Sequence, residues 1–168
     1  MSSRRMGRIL KRAVTTSLNV LQGRKGNEID AIITATGLGC IENTEKFLYS
    51  MLENNETLLT PTYFIQSTHN TISSQIALEL KCNNYNSTYV HRGISFESAL
   101  FDAFLQFKLN KITNALVGAH DEMTKDMFTL YDKIGYWKEG DICVETLRKS
   151  ETFGSFSGEV AVSSFLSN

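Results

Sequence analysis

The chain has 168 residues, enough for one domain with a hydrophobic core, and its 42% hydrophobic and 21% charged content is ordinary for a globular protein. No apolar run approaches the roughly 18–20 residues that a membrane-spanning helix needs, and the N-terminus lacks the apolar segment of a signal peptide. Three widely spaced cysteines without a Cys-x-x-Cys pair predict no metal site and no disulfide framework, and they favour a cytoplasmic location.

The net charge of −1 conceals an uneven distribution of charged residues. Seven of the 17 basic residues precede the first acidic residue, Glu28, so the rest of the chain carries 10 basic and 18 acidic side chains, a balance of −8. Such a split indicates either a docking surface for an anionic partner or a solvated helix face. Basic residues do not alternate with aromatic ones, so we expect no nucleic-acid binding.

In the first part of the chain, helical and strand patterns follow one another. Apolar residues recur with a helical period over residues 6–21. Residues 30–36 form a short, nearly continuous apolar run, which is typical of a strand buried on both faces. A second helix is predicted over residues 43–53, with its apolar residues on one side, and Pro61 then lies in a predicted extended connection.

The same alternation continues to the end of the chain. The predicted elements are a helix capped by Asn70 and ending at Leu80, a strand over residues 87–90, a helix over 96–107, a strand over 114–120, a short helix over 126–133 and a strand over 159–166. This pattern predicts an α/β fold with a mostly parallel sheet flanked by helices. Because a helix comes first, we expect one strand to be missing or to be supplied by another chain.

Residues 86–107 are the most informative segment. A β-rich run that ends at Val90 breaks at Gly93 and passes into a helix. Many α/β enzymes mount a nucleophile at such a strand-to-helix turn, because the turn exposes one side chain beside free helix N–H groups. Here the turn, which we call the elbow (residues 90–94), offers Val90, His91 and Arg92, and no serine or cysteine lies at its tip.

Other polar residues favour structural roles over chemistry. His91 has no neighbouring nucleophile to activate, so a surface or capping role is favoured over that of a general base. His69 is expected to order its loop by hydrogen bonding. Residues 120–122 read His-Asp-Glu, but adjacent strand residues point to opposite faces and would not converge on one metal ion. The Gly-x-Gly at residues 37–39 lacks the third glycine of a dinucleotide site, so it supports one only weakly.

Several blocks of the chain resemble the N-terminal half of a β-ketoacyl synthase, the condensing enzyme of the thiolase fold. They are Arg4-Arg5-Met6-Gly7-Arg8, Gln66-Ser67-Thr68-His69-Asn70, Ser95-Phe96-Glu97-Ser98-Ala99-Leu100, the run from Asn114 to Glu122, and Gly154-Ser155-Phe156-Ser157-Gly158-Glu159. The chain is most similar to the divergent subgroup of aryl-polyene and flexirubin-type pigment clusters. The resemblance implies that residues 1–168 form a single layered, thiolase-like half without the opening strand and the C-terminal half.

The chain departs from the active members of that family at the elbow. Active members read Thr-Ala-Cys there, and aligning Gly93 with the family glycine puts Thr88-Tyr89-Val90 in its place. A valine has no nucleophilic group, so Val90 cannot form an acyl-thioester. The two histidines that assist condensation belong to the C-terminal half of the family fold. The resemblance therefore implies no catalytic residue, and we expect no cofactor.

The resemblance implies a non-catalytic synthase-like subunit, similar to a chain length factor, in fatty acid, polyketide or aryl-polyene biosynthesis. Its expected partners are a catalytic β-ketoacyl synthase subunit or a second copy of the chain, and an acyl carrier protein. The expected acyl-tunnel or interface positions are Ser87, Thr88, Tyr89, Val90, His91, Phe96 and Leu100. The expected carrier-protein docking residues are Arg4, Arg5, Arg8, Lys11 and Arg12.

Two other functions stay open from the sequence. One is an active acyltransferase or condensing enzyme that uses a displaced nucleophile, either Cys40 or Ser95. The other is a binder of nucleic acid or of a membrane surface that acts through the basic first helix, which the scarcity of interleaved aromatic residues disfavours.

Overall fold

The computed structural model describes residues 6–57, 59–140, 143 and 150–168. The chain divides into two compact units, of which the first comprises Met1–Glu122 with Val160–Asn168 and the second comprises Met123–Glu159. The elements of the first unit are α1 (Arg8–Leu21), β1 (Ala31–Ala35), α2 (Ile41–Glu53), α3 (Pro61–Ser67), α4 (Thr71–Leu80), β2 (Tyr85–Tyr89), α5 (Ser95–Lys108), β3 (Asn114–Asp121) and β4 (Val160–Ser167). The second unit contains α6 (Lys125–Lys133).

The first unit is built on a four-stranded sheet in the order β2-β1-β3-β4. Strand β1 pairs in parallel with both β2 and β3, and β4 runs antiparallel to β3. All five residues of β1 are buried, as the continuous apolar run predicts for a central strand covered on both faces. The prediction of an α/β fold with a mostly parallel sheet is confirmed.

Helices cover both faces of the sheet. On one face, α1 and α4 pack against the strands over a core that includes Leu10, Ile32, Ile76 and Leu116. On the other face, α5 packs over a second core that includes Ile33, Ala99, Ala103 and Val117. Alternate residues of β1 enter the two cores, so the period-2 geometry of the strand distributes its side chains between the helix layers.

Two local predictions need correction. Pro61 begins helix α3 instead of lying in an extended connection, because a proline at the first helical position loses no hydrogen bond. Asn70 precedes α4 as predicted, but its side chain makes no capping hydrogen bond, because its backbone is helical, whereas a capping side chain needs an extended backbone. Helix α2 is present as predicted, and on its apolar side Phe47 and Met51 are half-buried while Leu48 and Leu52 are exposed.

The second unit contains α6 and an isolated bridge between Trp137 and Ser155. The Trp137 ring stacks on Phe128 at a centroid distance of 5.4 Å, and its indole N–H donates to the Phe128 carbonyl at 2.9 Å. Tyr131 and Tyr136 complete this aromatic cluster. Trp137 thus packs the loop after α6 against that helix.

Candidate functional site

The elbow connects β2 to α5 through a short 3₁₀ turn, Arg92–Ile94. Arg92, not Gly93, adopts the left-handed conformation, with φ of 53°. The Ser95 hydroxyl stabilises the turn: its oxygen accepts from the His91 N–H at 2.8 Å and lies 2.8 Å from the Thr36 carbonyl. The sharp strand-to-helix connection predicted from the sequence is therefore present, and Ser95 attaches it to the end of β1.

The side chains at the tip of the elbow offer little chemistry. Val90 is 36% exposed and presents only methyl groups. The His91 ring lies edge-on to Tyr89, and its Nδ1 lies 2.9 Å from the Ser98 hydroxyl oxygen, one helical turn into α5. The Ser98 oxygen is also 2.9 Å from the Ile94 carbonyl, to which its hydroxyl can donate. Sequence reasoning missed this His–Ser contact.

The two candidates for a displaced nucleophile are poorly placed to react. Cys40 is fully buried, and burial, with a contribution from the charge of Glu122, raises the pKa of its thiol to about 12. A thiol with that pKa is almost entirely protonated at neutral pH, whereas the thiolate is the nucleophilic form. Ser95 is 4% exposed, and its hydroxyl is engaged by the elbow. Cys82 is also buried, and Cys143 is exposed.

The Gly-x-Gly loop after β1 is occupied by carboxylates of the chain itself. Asp121 Oδ1 accepts from the Gly37 N–H at 2.7 Å and from the Leu38 N–H at 3.3 Å. Glu122 Oε1 accepts from the Glu42 N–H at the start of α2, at 3.0 Å. These N–H groups are the ones that would bind a phosphate in a nucleotide site. The Gly-x-Gly loop therefore offers no free anion site, and this disfavours the hypothesis of a nucleotide site.

His69 and His120 occupy structural positions. The His69 ring lies over Gly39, where an added Cβ would come within 2.7 Å of its Cδ2 and where φ is +72°, so this position needs glycine. His120 is fully buried on β3, neither ring nitrogen has a hydrogen-bond partner among the described residues, and burial lowers its pKa to about 4. No group of three or more potential ligands in the described part of the chain is arranged to hold a metal ion.

The predicted tunnel or interface residues fall on different surfaces. Ser87 and Tyr89 lie on the α5 side of β2, where Phe96 also packs. Thr88 points to the opposite side, where its hydroxyl is 3.1 Å from that of Thr34 and 2.7 Å from that of Ser73. Leu100 is 38% exposed, so it is not part of the buried face of α5. The structure therefore does not gather the seven positions around one cavity, and their roles remain predictions.

Sequence reasoning missed a polar cluster beside Tyr89. The Tyr85 hydroxyl donates to Asp102 Oδ2 at 3.0 Å, and the Gln106 side-chain amide donates to Asp102 Oδ1 at 3.2 Å. Burial, followed by the hydrogen bond and the charge of Asp102, raises the pKa of Tyr85, and burial followed by the same charge raises the pKa of Tyr89. The sequence signal for this cluster was Asp102 itself, an acid among small residues on the inner face of the helix predicted over residues 96–107.

The basic first helix is present as predicted. Arg8, Lys11 and Arg12 are exposed on α1, and the first turn of this helix contains no acidic residue. Arg4 and Arg5 lie outside the described residues. No helix among the described residues is both long enough and apolar enough to cross a membrane.

The sequence matches the family model for the N-terminal domain of β-ketoacyl synthases over residues 1–138. Comparison with curated proteins gave no match. Among solved structures, the chain is similar to a ketosynthase (ApeO) in complex with its chain length factor (ApeC) from Xenorhabdus doucetiae, with 22% identity, a TM-score of 0.70, and coverage of 99% of this chain and 60% of that chain.

Two further structures have the same fold. A β-ketoacyl synthase from Burkholderia phymatum STM815 has a TM-score of 0.76 at 18% identity, with 98% of this chain and 43% of that chain covered. The complex AntDE:AntF, a type II polyketide synthase acyl-carrier protein with its hexaketide-bound ketosynthase, has a TM-score of 0.67 at 13% identity, with 82% of this chain and 43% of that chain covered. The chain thus spans at most 60% of the length of these structures.

The α/β architecture and these likenesses define a thiolase-like ketosynthase fold. Because the family match extends over most of its length, the chain belongs to the β-ketoacyl synthase N-terminal domain family. The resemblance predicted from the sequence blocks is confirmed.

Proposed function

We propose that this chain is a non-catalytic β-ketoacyl synthase-like subunit, comparable to a chain length factor, in fatty acid, polyketide or aryl-polyene-type biosynthesis. The observation that carries the proposal is Val90 at the exposed tip of an intact elbow. The strand, the turn and the following helix are present, but the side chain at the position aligned with the family nucleophile has no reactive group. The active synthase with which it pairs would perform the condensation.

The open edge of β2 supports pairing with another chain. Strand β2 lies at one end of the sheet, and residues 85–90 contain no charged side chain and no proline. Edge strands are usually protected against pairing by charges, prolines or bulges. The Tyr89 carbonyl accepts from the Thr36 N–H, so the backbone N–H and C=O groups of the odd-numbered β2 residues point toward β1. The N–H and C=O groups of Asn86 and Thr88 therefore point to the open edge.

The apolar surface of α5 supports a role in shaping an acyl tunnel or an interface. Phe101 and Phe104 are 62% and 58% exposed, and Ile94, just before the helix, is 62% exposed. A contiguous set of large exposed apolar side chains marks a surface that binds a partner or a ligand. Side chains of this size would set the depth of a tunnel by filling its volume. The proposed tunnel or interface positions are Ser87, Thr88, Tyr89, Val90, His91, Phe96 and Leu100.

Helix α1 supports docking of an acyl carrier protein. Its exposed basic residues, Arg8, Lys11 and Arg12, form a positive surface on a helix whose first turn contains no acidic residue. Attraction between this surface and an acidic carrier would act at long range and weaken with salt. Arg4 and Arg5 are proposed to extend the same basic segment in the sequence.

Co-expression tests the proposal directly. The chain would be produced with each synthase encoded beside it, and the complexes would be separated by size-exclusion chromatography. We expect a stable complex with a synthase, and after incubation with an acyl-thioester the acyl group should be found only on the synthase by intact-mass analysis. A chain that stays monomeric with every such synthase would refute the pairing.

The same mass measurement tests the alternative of an active acyltransferase. Ser98 is a better candidate nucleophile for that alternative than Cys40 or Ser95. Its hydroxyl contacts the His91 ring, and both side chains are accessible at the elbow. An acyl adduct on Ser98, Cys40 or Ser95 that disappears in the corresponding alanine variant would establish catalysis by this chain. We expect no adduct on any of these residues.

A further inference from the structure

Asp102 is an acidic residue buried in an otherwise small and apolar surface. It lies on the inner face of α5 beside Ala99 and Ala103, and it is 8% exposed. The Tyr85 hydroxyl and the Gln106 amide donate to it, the Tyr89 hydroxyl also hydrogen-bonds with it, and no lysine or arginine among the described residues forms an ion pair with it. Buried charges in proteins are usually paired with an opposite charge.

The Asp102 cluster lies at the open edge of the sheet. Tyr85 belongs to the edge strand β2 and is 40% exposed, so water still reaches its ring. Tyr85 and Gln106 also line a groove of about 630 Å³, whose charged lining residues are Asp30 and Lys111. A chain that pairs with β2 would cover Tyr85 and remove the remaining water from the vicinity of Asp102.

We propose that Asp102 selects the partner at this edge: it favours a strand of a different polypeptide that brings a lysine or arginine to the carboxylate, and it disfavours pairing with a second copy of this chain. The proposal rests on the pairing through β2 that is part of the proposed function. It distinguishes between the two partners that the sequence leaves open, a synthase subunit and a self-dimer.

The physical argument compares the two partners. Self-pairing about a two-fold axis would bring two Asp102 residues to one interface, while the pairing strand Tyr85–Tyr89 supplies no basic side chain. Covering a carboxylate that has neutral hydrogen-bond partners but no counter-charge is costly, and like charges at one interface add to the cost. A partner with a cation would instead form a charge-assisted hydrogen bond. Specificity then arises from a penalty against the wrong partner as well as from a contact with the right one.

The first test measures self-association of the purified chain by sedimentation equilibrium. Asp102→Asn keeps the size of the side chain and removes its charge, and Glu97→Gln removes one charge from the exposed side of the same helix as a matched control. We expect Asp102→Asn to dimerise at least about tenfold more tightly than the wild type, and Glu97→Gln to remain within about twofold of it. A variant Asp102→Asn that associates no more tightly than the wild type would overturn the inference.

A cross-link locates the interface. In antiparallel self-pairing, the two-fold axis passes between two copies of Asn86, of Ser87 or of Thr88, so one of these residues lies opposite its own copy. In a Cys143→Ser, Asp102→Asn background, one of the variants Asn86→Cys, Ser87→Cys and Thr88→Cys should therefore form an intermolecular disulfide on oxidation, and Asn19→Cys on α1 should not. Dimerisation without a cross-link in any of the three β2 variants would refute pairing through β2, whereas a cross-link with unchanged affinity would refute only the role of Asp102.

The second test uses the synthase complex. Asp102→Asn should reduce the amount of synthase that is retained by the chain after co-expression by severalfold, while Glu97→Gln should leave it unchanged. Equal retention by Asp102→Asn and the wild type would overturn the inference and leave the proposed function intact. Loss of the complex in the wild type itself would instead refute the proposed function.

Discussion

Val90 gives the elbow its most direct chemical test. A cysteine at this position would be accessible, since Val90 is 36% exposed, and it would precede the 3₁₀ turn and the N-terminus of α5. Free N–H groups at a helix N-terminus stabilise a thiolate and lower the pKa of a nearby thiol. We expect the Val90→Cys thiol to react with iodoacetamide at pH 7 faster than an ordinary exposed cysteine. The increase in rate should be up to about tenfold.

A second cysteine supplies the reference for this measurement. Asn19→Cys places a thiol at an exposed position of α1, and Cys40 and Cys82 are buried, so peptide mapping of the Val90→Cys, Asn19→Cys protein compares two accessible thiols in one sample. Equal rates at positions 90 and 19 would show that the elbow does not activate a thiol. In that case, the geometry of the elbow would have only a structural role.

His120 makes the stability of the fold sensitive to pH. Its pKa is about 4 in the folded chain, against an ordinary value of 6.5, because the buried ring resists charging. The unfolded chain therefore takes up a proton that the folded chain refuses, and the free energy of unfolding falls as the pH falls from about 6.5 to about 4. The loss from this group is on the order of 3 kcal/mol.

Urea unfolding at a series of pH values checks this prediction. The variants His120→Gln and His120→Leu carry no titrating group at this position, so their stability should fall less steeply than that of the wild type across this range. His69→Gln, at an exposed histidine, should retain the wild-type slope. The opposite result, an unchanged slope in both His120 variants, would mean that another group controls the acid sensitivity.

The strands and most of the helices could be predicted because their signals are local. Residues 30–36 read as a buried strand, and β1 lies at the centre of the three parallel strands with all of its residues buried. The apolar period of residues 6–21 predicted α1 within two residues of its start. Pro61 was misread because proline is compatible both with an extended segment and with the first position of a helix.

The polar contacts of the candidate site could not be predicted, because they depend on which strands are neighbours. Asp121 reaches the Gly37 N–H across 84 positions in the sequence, and this contact requires β3 to lie beside β1. Asp102 meets Tyr85 only because α5 packs over the edge strand. The sequence identified the elbow and its valine, but for the buried Asp102 its signal was limited to an acid among small residues on the inner face of a predicted helix.

Across the whole chain, the charge distribution leads to a final prediction about docking. The chain has seven basic residues before Glu28 and a charge balance of −8 in the remainder. An acidic partner is therefore attracted to the basic segment and repelled by the rest of the surface. The double variant Lys11→Glu, Arg12→Glu should weaken binding of the acyl carrier protein encoded beside the chain by roughly tenfold at low salt. Both side chains are exposed, so the apolar face of α1 and its packing should be unaffected.

Fluorescence anisotropy with a labelled carrier protein, repeated at increasing ionic strength, separates docking from a general effect of charge. Wild-type affinity should fall as salt is added, and the double variant should bind weakly with a shallower salt dependence. The control Lys125→Glu, Lys133→Glu changes the net charge by the same amount at two exposed positions of α6. If this control weakens binding as much as the α1 variant does, net charge and not the basic helix governs the association, and the docking surface on α1 is refuted.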